Sequence, residues 1–479
     1  MMSGVGFKSE DNGFAVSSFL HNELDMTTKS IEAVKKSAPT VFQLSVEKNI
    51  EPIVRFLASI VDDNYIPPSS SIKNRSDNNR NDDRVLSLTS KTRKVIARLV
   101  TNNPSLLHLS IENNLQPTVE FLQNYCFMDN HGLANLIRSC PGVLGFSVED
   151  NLLPTTIFLM KEVGLSPNYS SICKQKFDKG LALDRKVDEK EILNLKRCLS
   201  RHPQILGLSI ENLKRKVEYF DAIDLLSLNE NGKLNRKPSH QSLATRIAIS
   251  APSTYSLNLQ ENIIPKVQCL AKLWGVEYPN FETLSFEKEK INATATEFKN
   301  KMQHSLTTRL SEYPAVLTLS LEGNIEPTIQ FYNRTGYVNL NEIGELINWK
   351  REKTISIVDE SNDQKDELSV LPGIKFVNDK DFADSASVVR GRHLATSLFN
   401  RLLPRWHFLI DNVNENDDGP ISLPPPIHVL ASATDEKFAE YYNVDPVDYQ
   451  NYKKEAIPRL KFSTQFVTWI KTGRPIDGT

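Results

Sequence analysis

The residues in this sequence that are best suited to chemistry are arginines that recur at a nearly constant distance before prolines. In four segments an arginine stands five or six positions before a proline: Arg98, Arg197, Arg246 and Arg309. Arg138 lies in a similar segment one helical turn later. Cations repeated in this way can follow a phosphate backbone, and we call the four arginines the arginine ladder. The alternative is a solvated outer face, or arginine stems that cover apolar seams.

A second group of cations lies near the C-terminus and contains Arg390, Arg392, Arg401 and Arg405. Arg401 and Arg405 are four residues apart, so they share one face of a helix. Their charge suits contact with phosphate, and we predict that Arg392, Arg401 and Arg405 are exposed binding residues. Trp406 could wedge between bases. It stands, however, where other segments have Val or Ile, which favours a place in the core.

Acidic residues recur as well, but their spacing opposes catalysis. Glu47, Glu112, Glu149, Glu211 and Glu322 occur at equivalent places in separate segments. General acid–base catalysis would need two carboxylates at one site. The sequence has no phosphate-binding glycine loop, HExxH pair, EF-hand loop or GxSxG motif. The nine histidines are dispersed and no two of the five cysteines have CxxC spacing. We therefore expect no enzyme, no metal, no cofactor, and reduced cysteines that are mostly buried.

A repeated sequence carries these candidate residues. One copy reads PSLLHLSIENNLQPTVEFL, starting at Pro104. We number the copies as repeats 1 to 7 by their first residues, which are Pro39, Pro104, Pro141, Pro203, Pro252, Pro314 and Gly391. Repeat 4 lacks the second proline and has its Asn shifted by one place, repeat 5 is a looser copy, and repeat 7 is degenerate. Prolines thirteen residues apart, with Ser, an acid and Asn between them, do not recur by chance.

The spacing within one repeat predicts two helices joined by a tight turn. An amphipathic stretch precedes the first proline, which should end that helix. In repeat 2 the residues Ile111, Leu115, Val119 and Leu122 then fall on one face of a second helix, and Ser110 stands where it can cap that helix. One such unit cannot bury its own apolar faces, whereas stacked units can. The sequence therefore predicts an all-α solenoid of helical repeats.

The second proline of each repeat allows two interpretations. Pro117 lies seven residues past the predicted cap, beyond the first turn in which a helix tolerates proline. It either kinks the second helix, at a cost of up to about 3 kcal/mol, or begins a fresh helix.

The chain also contains polar stretches that interrupt the repeats. Residues 66–84 are polar and should be irregular and exposed. Acidic residues in these insertions help to explain a net charge of −2 in a chain with 57 Lys and Arg residues. The predicted organisation is an N-terminal extension (1–30), a repeat array (31–410) with insertions near 61–88, 166–190, 276–300 and 343–388, an acidic and proline-containing linker (411–425), and a C-terminal helical segment and tail (426–479).

The repeat pattern P-x-x-L-x-x-S-x-E-x-N-L-x-P-x-x-x-F-L resembles that of the mitochondrial transcription termination factor (mTERF) family. Five copies match it well and two weakly. The loops at Gly164-Leu165-Ser166 and Gly336-Tyr337 are similar to the family's loop after the second helix. The sequences RLLPRWHFL and DEKFAEYYNV are similar to how such proteins end. The resemblance covers about residues 31–445.

This resemblance implies a left-handed superhelix whose basic concave side holds duplex DNA, or RNA in some members. It further implies work in mitochondria or plastids, on transcription, its termination, splicing or ribosome assembly. We expect a monomer without a membrane partner, and the acidic N-terminus contains no readable presequence. Duplex DNA is the preferred partner. RNA is one alternative, and a protein-binding scaffold with an apolar or mixed concave face is another.

Overall fold

The structure, a computed structural model, describes residues 7–62, 88–178, 189–225, 241–274, 306–335, 389–413 and 425–462, together with positions 276, 278, 337 and 338. These residues form helices and connecting turns with no β-strand among them, so the predicted all-α repeat fold is confirmed. The chain divides into two compact units, Met1–Val217 and Glu218–Thr479, which we call unit 1 and unit 2. The boundary falls inside the second helix of repeat 4.

The first helix of each repeat ends just before the first proline, as predicted. Side-chain oxygens cap several of these helices; the Asp129 carboxylate, for example, accepts from the Gly132 N–H at 2.6 Å. The first helices of repeats 1 to 6 are Thr28–Ser37, Ser90–Asn102, Asn130–Ser139, Glu189–Arg201, Leu243–Ser250 and Leu306–Glu312. Each first proline then begins a one-turn 3₁₀ helix, and these turns are Pro39–Gln43, Pro104–His108, Pro141–Gly145, Pro203–Gly207, Pro252–Ser256 and Pro314–Thr318.

The serine and asparagine of the repeat motif cap the second helix reciprocally. In repeat 2 the Ser110 hydroxyl accepts from the Asn113 N–H at 3.1 Å, which confirms the predicted cap. The Ser110 N–H in turn donates to the Asn114 side-chain oxygen at 3.2 Å. Repeat 1 has the same pair in Ser45 and Asn49. The motif therefore satisfies backbone groups that a helix start leaves without partners.

The backbone remains helical through the second proline, but the α-helical part begins one residue before it, so the interpretation that a fresh helix begins there is correct in part. In repeat 2, Leu115 donates its N–H to the Ser110 carbonyl five residues earlier, at 3.0 Å. This wide π turn leads directly into the α-helix that contains Pro117. The π turns are Val46–Ile50, Ile111–Leu115, Val148–Leu152, Leu259–Ile263, Leu321–Ile325 and Leu398–Leu402. The α-helices that follow them are Glu51–Val61, Gln116–Asn124, Leu153–Lys161, Ile264–Leu273, Glu326–Arg334 and Leu403–Val413.

Repeat 4 explains why the π turn is there. It lacks the second proline and has one residue fewer between its serine and its buried leucine, Leu213. Its second helix, Ile210–Leu225, is α-helical throughout. Proline cannot donate a backbone hydrogen bond and its ring clashes with the carbonyl four residues earlier. A turn with five-residue hydrogen bonds relieves this conflict and takes up the extra residue.

Unit 1 is held together by its 3₁₀ turns, which contact one another from repeat 1 to repeat 4. Each turn buries two apolar side chains, such as Leu106 and Leu107 in repeat 2. Between repeats 3 and 4 the Phe146 ring lies against Gly207, where a Cβ atom would be 2.5 Å from the ring. The equivalent Gly145 has only leucine methyl groups near it, at 3.9 Å. Glycine is thus required by packing at 207 but not at 145.

Two segments predicted to lie outside the repeats add helices to unit 1. Helix Phe7–Leu24 packs against the 3₁₀ turn of repeat 1 and buries Val16 and Leu20. Helix Pro167–Asp178 falls in the predicted insertion near 166–190 and packs against the second helix of repeat 3. Residues 66–84 and nearly all of the insertions near 276–300 and 343–388 lie outside the described residues.

Unit 2 ends in a C-terminal segment that packs on the second helix of repeat 7. This segment comprises the π turn His428–Ser432 and the helices Asp435–Tyr441 and Pro446–Phe462. Repeat 7 itself begins with the short helix Gly391–Leu394 instead of a 3₁₀ turn. Trp406 is buried with its ring edge-on to Phe331, which confirms its predicted place in the core.

Replacing Gly207 by alanine should destabilise unit 1 by about 1–3 kcal/mol, because the new methyl group overlaps the Phe146 ring. Gly145→Ala is the matched control: it stands at the same place in repeat 3 and should be neutral or slightly stabilising. Urea denaturation followed by far-ultraviolet circular dichroism measures both. Equal midpoints for the two variants would contradict this account of the packing.

Candidate nucleic-acid interface

In repeat 2 of unit 1, basic and acidic residues lie on different helices. Helix Ser90–Asn102 carries Lys91, Arg93, Lys94 and Arg98 and contains no acidic residue. The second helix of the same repeat instead has Glu112 in its first turn, where a carboxylate complements the helix dipole. A similar arrangement recurs in repeat 3, whose first helix contains Arg138 and no acid. The first helices of repeats 1 and 4 also contain acids, but basic residues outnumber acidic residues on the first helix of every repeat of unit 1.

The two ladder arginines of unit 1 occupy the same place in their helices. Arg98 and Arg197 are exposed, and each immediately precedes a buried residue, Leu99 or Cys198. Repeat 3, between them, has the exposed Asn135 at this position. Unit 1 therefore presents a polar row on its first helices, with a guanidinium in repeats 2 and 4.

Arg138 also has a structural role. Its side chain is half-buried and donates to the Val61 carbonyl at 2.6 Å and to the Asn135 side-chain oxygen at 3.0 Å. Val61 is the last residue of the second helix of repeat 1, where a cation stabilises the negative end of the helix dipole. Arg138 thus ties repeat 3 to repeat 1, and this contact already uses part of its hydrogen-bonding capacity.

The ladder arginines of unit 2 have different surroundings. Arg246 and Arg309 are both half-buried. The Arg309 guanidinium lies over the Trp274 ring, 5.6 Å from its centre, and burial lowers the pKa of this side chain. The sequence allows two interpretations of the ladder arginines: a contact with phosphate, or a stem that covers an apolar seam. Arg309 fits the second. The four ladder positions therefore do not provide four equivalent cations.

The prediction that Arg405 is an exposed binding residue is wrong. Its side chain is completely buried. It donates to the carbonyls of Val429, Leu430 and Ala433 at 2.8–2.9 Å and to the Asp435 carboxylate at 2.9 Å. Arg405 therefore holds the C-terminal segment against repeat 7 and is not available to bind phosphate.

The burial of Arg405 follows from its position directly after the second proline of its repeat. The same position holds Thr118 in repeat 2 and Lys266 in repeat 5, and both are buried. Thr118 donates to the Phe146 carbonyl at 3.4 Å and Lys266 to the Leu317 carbonyl at 3.0 Å. Each acceptor lies in the next repeat. In repeats 2 and 5 this position thus carries a polar bridge to the next repeat, and aligning repeat 7 with them places Arg405 at the same position.

Asp435 is the acidic partner of this bridge. Burial disfavours its charged form, but hydrogen bonds from Lys453 and Arg405 outweigh that effect and lower the pKa of the carboxyl group. The Lys453 ammonium lies 2.5 Å from the carboxylate. Two cations therefore share one anion, and the group of three keeps a net positive charge.

Arg392 and Arg401 meet Lys453 at a cleft of about 500 Å³ in unit 2. Arg392 is exposed and Arg401 is half-buried. The rest of the lining consists of four small polar residues, two alanines and Tyr313 from repeat 6; the polar residues are Thr396, Ser397, Asn400 and Ser432. The structure brings together two of the predicted residues and adds Lys453, which nothing in the repeat pattern distinguishes.

The cysteines are buried, as predicted, except for the half-buried Cys269. Burial raises the pKa of the Cys198 thiol to about 12 and that of Cys269 to about 11. In the part of the chain that the structure describes, no group of three or more His, Cys, Asp or Glu side chains is arranged to hold a metal ion. Within the same part, no helix combines the length and the apolar character that crossing a membrane requires.

Replacing Arg405 by alanine should destabilise unit 2 by about 3–5 kcal/mol, because three carbonyls lose their donor and the Asp435 carboxylate loses one of its two cations. Arg401→Ala, four residues away and half-buried, should change stability by no more than about 0.5 kcal/mol. All four tryptophans lie in unit 2, so tryptophan fluorescence during urea denaturation reports on this unit. Similar stabilities of the two variants would mean that Arg405 does not hold the C-terminal segment.

Comparison with known proteins agrees with the repeats. Residues 16–230 match the family model mTERF. A search of curated proteins found no match. The matched residues include the first four repeats with their capped second helices. The mTERF resemblance is therefore confirmed: residues 16–230 of this chain are an mTERF-family repeat array, and membership of that family implies a nucleic-acid-binding factor of organellar gene expression.

Proposed function

We propose that this chain binds duplex DNA in a mitochondrion or plastid and regulates transcription or its termination there. The observation that carries the proposal is the pair Arg98 and Arg197, exposed at one equivalent place on the first helices of unit 1. The neighbouring Lys91 and Lys94 are exposed on the same acid-free helix. Permanent cations at repeat spacing suit the regularly spaced phosphates of a nucleic acid.

The chain performs this function without a charge excess over its whole length. Its net charge is −2, yet helix Ser90–Asn102 has only basic charges. The acids of the repeats have a local task at the starts of the second helices, as Glu112 illustrates. Binding depends on the field at the contacted surface rather than on the sum over the molecule. A nearly neutral chain with basic first helices is therefore compatible with nucleic-acid binding.

The affinity for nucleic acid should fall steeply as the salt concentration rises. The steepness of this fall should depend on the number of arginines that contact phosphate. Each neutralised phosphate of duplex DNA contributes about −0.9 to the slope of log affinity against log salt concentration. The double variant Arg98→Gln/Arg197→Gln should therefore flatten the slope by up to about two units, since both side chains are exposed. Gel-shift titrations at several salt concentrations, with duplex DNA and single-stranded RNA in parallel, measure this.

The control is Lys48→Gln/Lys161→Gln, which removes the same charge from exposed positions on second helices of the same unit. It should leave the slope nearly unchanged. Tighter binding to RNA than to the duplex would show that RNA is the partner. It would then favour a role in splicing or ribosome assembly over one in transcription. Absence of binding to either at low salt would contradict the proposal and favour a protein-binding scaffold. Crosslinking in cells, followed by sequencing of the bound nucleic acid, identifies the target and the organelle.

A further inference from the structure

The cleft in unit 2 has three cations around one cavity, whereas the polar row of unit 1 has its cations on separate first helices. Arg392, Arg401 and Lys453 line one cavity of about 500 Å³, and no acidic side chain is among its lining residues. This volume lies in the usual range of small-molecule sites. Lys453 is paired with Asp435, but that carboxylate also accepts from Arg405, so the pairing does not cancel the positive charge.

The start of the second helix in repeat 7 adds to this positive field. Other repeats have a glutamate in the first turn, such as Glu112, but repeat 7 has no acid there. Arg401 stands where repeat 2 has the capping Asn114. Ser397 caps the helix, and its side chain and that of Asn400 line the cleft. The first turn of this helix thus lacks the carboxylate that complements the helix dipole in other repeats, and a cation stands in place of the capping asparagine.

From this geometry we propose that the cleft binds the phosphomonoester of a nucleotide, supplied by the 5′-phosphorylated end of a bound nucleic-acid strand. A terminal phosphate carries a charge of about −1.5 to −2 at neutral pH and has three acceptor oxygens. An internal phosphodiester has a single negative charge, for which one guanidinium suffices. Three cations at one cleft fit the terminal group better, because arginines bind phosphate through paired, charge-assisted hydrogen bonds.

The rest of the lining suits the nucleoside that bears this phosphate. Tyr313 supplies an aromatic ring on which a terminal base can stack. Thr396 and Ser432 supply hydroxyls and Asn400 a carboxamide, which can hydrogen-bond a sugar or a base edge. The assignment of the phosphate to a strand end rests on the proposed function, whereas the preference for a phosphomonoester rests on the cleft alone.

The experiment compares two short blunt DNA duplexes of identical sequence, one with 5′-phosphates and one with 5′-hydroxyls, by fluorescence anisotropy with the full chain. The phosphorylated duplex should bind about tenfold more tightly or better, because it adds charge-assisted hydrogen bonds. Arg401→Gln and Arg392→Gln should each reduce this preference, measured as the ratio of the two affinities, severalfold. A nucleoside 5′-monophosphate should compete for the extra affinity, and the unphosphorylated nucleoside should not.

Arg390→Gln is the matched control. Arg390 is an exposed arginine two residues from Arg392; its partner is Glu312, at 3.5 Å, and it does not line the cleft. This variant should keep the full preference for the phosphorylated end. Equal affinity of the wild-type chain for both duplexes, or a preference that survives Arg401→Gln, would overturn the inference while leaving the proposed function intact. Arg401-dependent binding of the monophosphate without binding of either duplex would support the cleft and overturn the proposed function.

Discussion

The prolines in the second helices impose the constraint on which the repeat geometry depends. A proline seven residues past the cap has no N–H to donate a backbone hydrogen bond, and its ring crowds the carbonyl four residues earlier. The chain accommodates it with a π turn immediately before, as in Ile111–Leu115 ahead of Pro117. Repeat 4 has neither the proline nor the extra residue, and its helix Ile210–Leu225 is regular. Proline, extra residue and π turn thus occur together or not at all among the seven repeats.

This constraint fixes the direction of the side chain that follows the proline. Thr118, Lys266 and Arg405 share that position, and each donates to carbonyls in the next repeat or segment. The carbonyls at these junctions are buried or partly buried and need donors. Lys266 and Arg405 supply charged donors at a cost in desolvation, which for Lys266 lowers the pKa of the ammonium group. The cost is offset because an unpaired buried carbonyl would also be destabilising.

The sequence predicted the architecture well because the repeat is visible in residue types. The ends of the first helices, at the first prolines, and the serine caps of the second helices could be predicted because the copies contain the same local signals. The π turn could not be predicted, since a seven-residue distance from cap to proline fits a kink or a fresh helix equally well. Helix Phe7–Leu24 was missed because it precedes the first copy and has no repeat motif.

The candidate site was harder to predict because charge alone does not distinguish a bridge from a surface. Arg401 and Arg405 are one turn apart, and their spacing predicted a shared exposed face. The π turn Leu398–Leu402 lies between the cap of repeat 7 and Arg405, and it belongs to the register that buries every residue after a second proline. Arg401 precedes the proline and lines the cleft, whereas Arg405 follows it and lies in the core. The same constraint that joins the repeats therefore decides which cation remains available to a ligand.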